Sequence, residues 1–229
     1  MTLNEFDEAD FDAVYQGKNL LKNVKINKVP WDIGTYQPFY KNILASIKQC
    51  PMLDVGCGQG YNARLAAKMG FDVTAVDSSA SVIKSCIKYT NPNLTFMQRD
   101  VCQTDFTHQF GLIVDSALYH SLPSDKRLAY MHKMNSALNF CGEFHIITFK
   151  PSLEGMPIPL AITEKEILSN AKETGWMIDS ITDTNYLGNY DAISEFIVKK
   201  KLNIKVNESG HSILPCWHII LKKANHDKK

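Results

Sequence analysis

The sequence predicts a single α/β domain built around a mostly parallel β-sheet, and three observations support this fold class. The 229 residues are enough for one domain with a buried core and few for two. From about residue 50 onward, apolar runs of strand length alternate with longer helical stretches, as in βαβ units. A glycine-rich turn, Gly56-Cys57-Gly58-Gln59-Gly60, directly follows the first run, where such folds join a strand to a helix.

Five strands and three helices are predicted between about residues 51 and 149. We place the strands at about residues 51–55, 71–76, 94–98, 111–116 and 143–149. The helices are expected at Tyr61 to Met69, Ala80 to Tyr89 and Ser124 to Asn139. Ser79 and Ser124 stand at N-cap positions, because a serine hydroxyl can accept a hydrogen bond from a free N–H of the first turn.

The last third of the chain continues with one helix and two strands. Thr163 and Glu166 have the spacing of a capping box, which predicts a helix beginning at Thr163. The runs WMIDSITDT and ILPCWHIIL predict the two strands. The segment between them, from Tyr186 to Gly210, is polar and lysine-rich, and we predict a loop or hairpin there.

Residues 1–49 do not follow this alternation. They contain two helical patterns, near Asp10 to Leu21 and Gln37 to Lys48, which are joined by the segment VPWDIGTYQP. A segment of this kind before a sheet usually caps the sheet or covers a ligand. We therefore predict a helical lid or cap that belongs to the same domain.

Composition argues against several classes of protein. Lys and Arg number 25 and Asp and Glu 24, so the net charge of +1 gives no strong attraction to nucleic acid. The six cysteines form no metal-binding or disulfide-rich pattern, so we expect no metal. The acidic N-terminus is unlike a signal sequence, and no apolar run reaches the about 18 residues of a membrane span. We expect a cytoplasmic protein with a small-molecule partner, without a nucleic-acid or membrane partner.

The glycine turn is predicted to hold an anionic group, because close backbone approach and a helix N-terminus favour negative charge. Its spacing, Gly56-x-Gly58-x-Gly60, is one residue tighter than that of dinucleotide-binding turns. Asp54, two residues earlier, would repel a pyrophosphate but would attract the ammonium of an amino acid, whose carboxylate could face the turn. The pattern therefore favours a zwitterionic ligand.

Acidic residues at the ends of the next two strands suggest that this ligand also carries a nucleoside. Asp77, followed by Ser78, can accept hydrogen bonds from both ribose hydroxyls. Asp100 lies within reach of an adenine amino group, and Val101 would add an apolar contact and a backbone donor. The ligand predicted is an amino acid joined to a nucleoside.

With these residues the chain resembles the class I S-adenosylmethionine-dependent methyltransferases, over roughly residues 35–150 and more loosely beyond. The resemblance implies a Rossmann-like, mostly parallel seven-stranded sheet whose last strand is antiparallel. It implies S-adenosyl-L-methionine as cofactor and S-adenosyl-L-homocysteine as product. It places Asp54, Gly56, Cys57, Gly58 and Gly60 around the methionine part, Asp77 on the ribose, and Asp100 with Val101 at the adenine.

The N-terminal sequences DAVYQG and VPWDIGTYQP are similar to those of bacterial small-molecule methyltransferases of the thiopurine, tellurite-resistance and heterocyclic-toxin groups. This similarity implies that Trp31 lies against the cofactor and that the preceding helix forms a lid. The domain of residues 1–229 would then comprise a lid (1–49), a cofactor-binding core (50–150), and C-terminal strands with acceptor-site loops (151–229).

The fourth strand delivers further candidates to the same edge: Asp115 beside the cofactor, Tyr119 beside the acceptor, and His120. His120 could act as a general base, because an unperturbed imidazole titrates near neutral pH. Alternatively, His120 caps the following loop or satisfies a buried carbonyl. Tyr15 and Tyr119 are candidate walls of the acceptor site, with a purely structural role as the alternative for each.

The predicted function is methyl transfer by in-line displacement to an O, N or S atom of a small, aromatic heterocyclic molecule. A nucleic-acid methyltransferase is one alternative, although Asp115-Ser116-Ala117-Leu118 stands where adenine-modifying enzymes have a D/N/S-P-P-Y/F motif. Cytosine C5 enzymes need a nucleophilic cysteine that follows a proline. Pro215-Cys216 supplies this dipeptide but falls on a predicted terminal strand, far in sequence from the cofactor edge. A non-catalytic binding protein is a second alternative, and a dehydrogenase is a third.

Overall fold

The computed structural model describes residues 11–18, 28–89 and 91–224. Its strands are β1 (Pro51–Val55), β2 (Asp72–Asp77), β3 (Leu94–Gln98), β4 (Phe110–Ser116), β5 (Leu138–Phe149), β6 (Trp176–Asn189), β7 (Lys205–Val206) and β8 (His211–Lys223). Its helices are α1 (Phe11–Tyr15), α2 (Pro38–Ser46), α3 (Tyr61–Lys68), α4 (Ala80–Cys86), α5 (Ser124–Ala137), α6 (Glu164–Glu173) and α7 (Tyr190–Lys200). A short 3-10 helix, Tyr119–Ser121, follows β4.

The strands form one sheet in the order β3-β2-β1-β4-β5-β8-β6, and the two-residue β7 pairs with β8. Strands β1 to β5 pair in parallel, whereas β8 is antiparallel to both β5 and β6. This order confirms the predicted Rossmann-like fold, with β8 as the antiparallel strand. The carboxyl ends of β1 to β4 therefore meet at one edge of the sheet.

Helices cover both faces of the sheet, and the alternation of side chains along each strand divides the core in two. Met52 and Leu112 pack with residues of α2, α3 and α7 on one face. Leu53 and Ile113 pack with residues of α5 and α6 on the other. Because both faces are buried, the central strands appear in the sequence as nearly continuous apolar runs.

The prediction of a loop or hairpin for Tyr186 to Gly210 is wrong over most of the segment and is confirmed only at its end, where β7 and β8 form a hairpin. The first residues of this segment extend β6 to Asn189, and α7 follows, with the Asn189 side chain accepting a hydrogen bond of 3.4 Å from Ala192 N. Ile193 and Ile197, one helical turn apart, are buried against the sheet. Charged residues around this pair mask its helical periodicity.

Strand β5 begins at Leu138, earlier than predicted, because it contains an irregularity. Phe110 pairs with Leu138 and Leu112 with Glu143, so the register shifts between them. Glycine permits the close approach here, since a Cβ on Gly142 would lie 2.8 Å from the carbonyl oxygen of Gly111.

Two of the three predicted caps occur. Ser79 and Thr163 each accept a hydrogen bond of 3.2 Å from the backbone N–H three residues later. The prediction for Ser124 is wrong, because Ser124 is the first residue of α5 and Pro123 occupies the N-cap position without a side-chain bond. The side chain of Glu166 does not complete a capping box but forms an ion pair of 2.6 Å with Arg127.

The N-terminal prediction is only partly testable. Helix α1 covers Phe11–Tyr15 and is followed by Gly17 in the left-handed region, at a φ of 74°. The predicted continuation of this helix is wrong for residues 16–18, which form a turn. Its predicted start at Asp10 and its end at Leu21 lie outside the described residues. Over residues 11–18, 28–89 and 91–224, no helix has both the length and the apolar character needed to cross a membrane.

Candidate active site

A cavity of about 300 Å³ opens at the carboxyl ends of the parallel strands. One part of its wall comes from the glycine turn and from the ends of β2 and β3. The rest comes from the loop after β4, from α1 and the segment before α2, and from α7. The predicted site residues that line it are Tyr15, Trp31, Gly56, Cys57, Gly58, Asp77, Ser78, Asp100, Val101 and His120. Asp54, Gly60, Asp115 and Tyr119 do not.

The glycine turn depends on the left-handed backbone that glycine allows, and all three of its glycines adopt it. Gly58 has a φ of 51° and Gly60 a φ of 72°, both in the left-handed region. A Cβ on Gly60 would also lie 2.6 Å from the Phe96 ring. The N–H groups of Cys57, Gly58 and Gly60 all donate within the fold, to Val76 O, the Asp77 carboxylate and Cys57 O respectively. A ligand anion would therefore rely on other amides, such as those at the start of α3.

Asp54 is buried near the end of β1, with 1% of its surface exposed. Its Oδ1 accepts a hydrogen bond of 2.9 Å from the Tyr40 hydroxyl, whereas Oδ2 has no partner among the described residues. Burial raises the pKa of this carboxyl to about 7, against the opposing effect of the Tyr40 hydrogen bond. A buried carboxylate oxygen without a partner is costly, so this atom suits a cationic ligand group.

Asp77 supports the turn and faces the cavity. Its Oδ2 accepts from Gly58 N and its Oδ1 from Ser79 N, both at 2.9 Å. Burial raises the pKa of Asp77, and these two backbone hydrogen bonds oppose the rise. Each carboxylate oxygen keeps further acceptor capacity for a hydroxyl group. Ser78 lines the cavity beside it.

The loop after β3 contributes Asp100 and Val101. Asp100 is exposed, and its carboxylate accepts hydrogen bonds from Cys102 N at 2.9 Å and from the Gln103 side chain at 2.7 Å. Val101 is buried, with 6% of its surface exposed, and packs with the core around β1 and β4. The carboxylate and the apolar side chain thus form adjacent parts of the cavity wall.

Asp115 is placed differently from the cavity-lining residues. It is fully buried and accepts hydrogen bonds from Leu118 N at 2.7 Å, Tyr119 N at 3.2 Å and the Tyr130 hydroxyl at 2.7 Å. The Tyr119 hydroxyl accepts a 2.7 Å hydrogen bond from Asn170. These bonds fix the loop that carries His120.

His120 lines the cavity and stacks on Phe149, with ring centroids 3.9 Å apart. Its Nδ1 lies 3.4 Å from Phe149 N and 3.3 Å from the Thr148 hydroxyl. Burial and the nearby Arg127 guanidinium lower the pKa of the imidazole to about 3. The ring is therefore a weak base, because the protonated form that it would have to adopt is disfavoured, and this weighs against the general-base role predicted from the sequence.

The N-terminal residues form part of the roof of the cavity. The Tyr15 hydroxyl accepts a 2.7 Å hydrogen bond from Trp31 Nε1, and the two rings meet edge to face. Asp12 fastens α1 to the start of α4 by accepting hydrogen bonds from the Ser79 hydroxyl and from Ser81 N. Helix α1 thus contacts both the start of α4 and the glycine turn, which donate hydrogen bonds to Asp77.

Comparison with known proteins finds methyltransferases. A family described as a methyltransferase domain matches residues 52–142, which include the glycine turn. A 2-heptyl-1-hydroxyquinolin-4(1H)-one methyltransferase of Mycobacteroides abscessus is 27% identical over 95% of this chain and 96% of its own length. A probable S-adenosyl-L-methionine-dependent methyltransferase, TehB of Haemophilus influenzae, is 26% identical over 50% of this chain and 41% of its own. The chain carries an S-adenosylmethionine-dependent methyltransferase domain.

Solved structures show the same fold as this methyltransferase. A protein studied for the conversion of a disulfide bond into a thioacetal group during echinomycin biosynthesis superposes with a TM-score of 0.74 at 23% identity, over 93% of this chain and 91% of that one. The 1,6-didemethyltoxoflavin-N1-methyltransferase of Burkholderia thailandensis, solved with S-adenosylhomocysteine, gives 0.59 at 16% identity, over 82% and 78%.

Several residues that line the site of the methyltransferase were not predicted. Gln37 is held by a pair of hydrogen bonds to the backbone of Leu187, at 2.8 and 3.0 Å. Tyr186 donates a 3.3 Å hydrogen bond to Trp31 O. Ile193 and Phe196 come from α7, and their spacing is a helical signal that could have been found. The contact of Gln37 joins distant parts of the chain and has no local sequence signal.

Proposed function

We propose that this methyltransferase transfers a methyl group to a small aromatic heterocycle that carries an ionisable O, N or S atom. The observation that carries the proposal is the division of the cavity. One part is bounded by the glycine turn and the acidic strand ends, and the other by aromatic and aliphatic side chains. The Mycobacteroides abscessus relative, named for a hydroxyquinolinone, aligns over nearly the whole of both chains and supports the same class of acceptor.

The first part of the cavity suits the cofactor. Asp77 would hold the ribose hydroxyls, and Asp100 with Val101 would contact the adenine. The unpartnered oxygen of Asp54 would receive the ammonium through a bridging water, since Asp54 does not line the cavity itself. S-adenosylmethionine, when bound, supplies a methyl group that is already activated by a positively charged sulfur.

The second part suits a flat apolar acceptor. Its walls include Trp31, Phe149, Met156, Tyr186, Ile193 and Leu214. The polar groups among them are few, as is usual in sites for small ligands of about 300 to 1,000 Å³. The aromatic and aliphatic walls would exclude water and hold the acceptor in line with the methyl group, which is the main contribution that a protein makes to such a displacement.

The alternative of a cytosine C5 nucleic-acid methyltransferase finds no support in this geometry. That chemistry needs an accessible cysteine nucleophile, whereas Cys216 is fully buried on β8 and does not line the cavity. Burial also raises the pKa of its thiol far above the usual range, which disfavours the reactive thiolate.

The experiment has two parts. Titration calorimetry with S-adenosylhomocysteine is expected to show one site, and a thermal-shift comparison should show stabilisation by this ligand and none by NAD. A radiolabelled methyl assay is then run over hydroxyquinolinones, phenols, thiols and thiopurines. Absence of S-adenosylhomocysteine binding would contradict the cofactor assignment. Binding without turnover on any acceptor of the panel would instead favour a non-catalytic binding protein.

A further inference from the structure

The orientation of His120 fixes which ring nitrogen carries the proton. The backbone N–H of Phe149 lies 3.4 Å from Nδ1 and can only donate. Nδ1 must therefore be the accepting nitrogen, and the neutral ring carries its proton on Nε2. Stacking on Phe149, at an interplanar angle of 23°, holds the ring in this position.

The second nitrogen is left for a ligand. Nε2 has no hydrogen-bond partner among the described residues, although the ring lines the cavity. An N–H group without a partner in a mostly apolar cavity favours a ligand that brings an acceptor atom. His120 thus offers the cavity a hydrogen-bond donor.

The charges around His120 keep the ring neutral. Arg127, on α5, donates to His120 O at 3.4 Å and pairs with Glu166 of α6 at 2.6 Å. The Thr148 hydroxyl and the Phe149 backbone, which face the ring from β5, carry no charge. Protonation would place a second positive charge beside the guanidinium in a buried setting, which is unfavourable.

The carboxylates that line the cavity are engaged elsewhere. Asp32 accepts from Gly34 N at 2.7 Å, Asp100 from Cys102 N at 2.9 Å, and Asp77 from two backbone N–H groups. Backbone donors of the glycine turn and of neighbouring loops thus already occupy these carboxylates. His120 offers the acceptor molecule a hydrogen-bond donor on this side of the cavity.

We propose that the acceptor reacts as its own conjugate base and that His120 positions this anion by donating a hydrogen bond from Nε2. The proposal rests on the proposed function and narrows it to acceptors with an acidic O–H or S–H group, such as N-hydroxy heterocycles and heteroaromatic thiols. Aliphatic alcohols are excluded as acceptors, because they remain protonated near neutral pH.

The reaction balances without a catalytic base. The acceptor releases its proton to solvent before it binds. Its oxygen or sulfur lone pair then forms the bond to the methyl carbon while the carbon–sulfur bond of the sulfonium breaks, and that electron pair stays on sulfur. An anion and a cation give two neutral products, so a cavity that excludes water favours the step.

The test uses ring-substituted 1-hydroxyquinolin-4-ones whose N–OH pKa values differ over about two units. If the acceptor reacts as its conjugate base, the acidic limb of the plot of kcat/KM against pH moves with the pKa of each acceptor. An ultraviolet difference spectrum of the acceptor, bound with S-adenosylhomocysteine, should show the anion without any turnover. A limb that stays at one pH for all acceptors, or a neutral bound acceptor, would overturn the proposal.

Two variants test the donor. His120→Phe keeps a flat ring against Phe149 but lacks the N–H, so kcat/KM should fall about 10- to 100-fold. The pH of the acidic limb should stay the same, because the acceptor sets it. His120→Gln keeps a donor and should recover part of this loss. A variant His120→Phe with unchanged kcat/KM would remove His120 from the reaction. Binding of S-adenosylhomocysteine to the wild-type protein is measured in parallel. Its absence there would count against the proposed function and not against the role of His120.

Discussion

The Tyr15 hydroxyl accepts a 2.7 Å hydrogen bond from the indole N–H of Trp31 and lies directly over the glycine turn, 3.0 Å from the point where a Cβ on Gly58 would stand. One phenol thus joins helix α1 and the segment of Trp31 to the glycine turn. Phe11 also contacts the indole, at 5.6 Å between ring centroids. The position of Trp31 therefore depends on α1.

Replacing Tyr15 by phenylalanine tests this connection. The variant loses the hydrogen bond to Trp31 and keeps the ring, so we expect the affinity for S-adenosylhomocysteine to fall about three- to tenfold. Titration calorimetry measures the change. Tyr36→Phe is the matched control, since Tyr36 lies in the same segment as Trp31 but does not line the cavity. Equal affinity of the two variants would contradict a role for Tyr15 in the lid.

Asp77→Asn should damage the cofactor site more severely. An amide has one accepting oxygen, so it cannot accept from both Gly58 N and Ser79 N as the carboxylate does. We expect at least a roughly 100-fold loss of affinity for S-adenosylhomocysteine and about 1 to 3 kcal/mol lower stability. Asp72→Asn, at the exposed start of the same strand, is the control and should change neither quantity. Retention of tight binding by the Asp77 variant would refute the ribose assignment.

Asp54 should make the ligand-free protein less stable as the pH rises. Its folded pKa of about 7 lies above its ordinary value of 3.8, so between these values the folded state binds more protons than the unfolded state. The stability that protonated Asp54 contributes is fully present below its ordinary pKa of 3.8 and is lost as the pH rises through its folded pKa of about 7. Buried His120 acts in the opposite sense, because its pKa is lowered.

The comparison with Asp54→Asn isolates this effect, because an amide does not titrate. Between about pH 5 and pH 8, the unfolding free energy of the wild type should fall relative to that of the variant by about 1 to 3 kcal/mol. Urea unfolding at a series of pH values measures the difference. A pH-independent difference would show that the carboxyl is ionised throughout this range.

Helix α7 is expected to affect the acceptor and not the cofactor. Ile193 is buried and lines the cavity, so Ile193→Ala should raise the KM for the acceptor about tenfold while the Kd for S-adenosylhomocysteine stays the same. Val198→Ala is the control on the same helix, since Val198 is 76% exposed. An increase in both constants would mean that α7 supports the whole site.

Local signals explain what could be predicted of the site. The turn from Gly56 to Gly60 and the acids Asp77 and Asp100 follow apolar runs directly, so their position at one sheet edge follows from a parallel arrangement. The meeting of these residues at one edge of the sheet therefore needed no knowledge of long-range contacts.

Contacts between distant residues explain what was missed. The partners of Asp115 include Tyr130 on α5, which no local pattern identifies. The hydrogen bonds between Gln37 and Leu187 join residues 150 positions apart. The tautomer of His120 depends on the Phe149 N–H of another strand. In each case the side chain was visible in the sequence, but its partner was set by tertiary packing.

Strand β8 has a consequence for the way the protein assembles. It follows β6 in the chain but lies between β5 and β6, pairing with one at Ile146–Ile219 and with the other at Ile181–Ile219. During synthesis, therefore, β5 and β6 emerge from the ribosome before the strand that joins them. Both must remain unjoined until Ile219 has been added, and in that interval their open edges are the places where a chaperone or a neighbouring chain could bind.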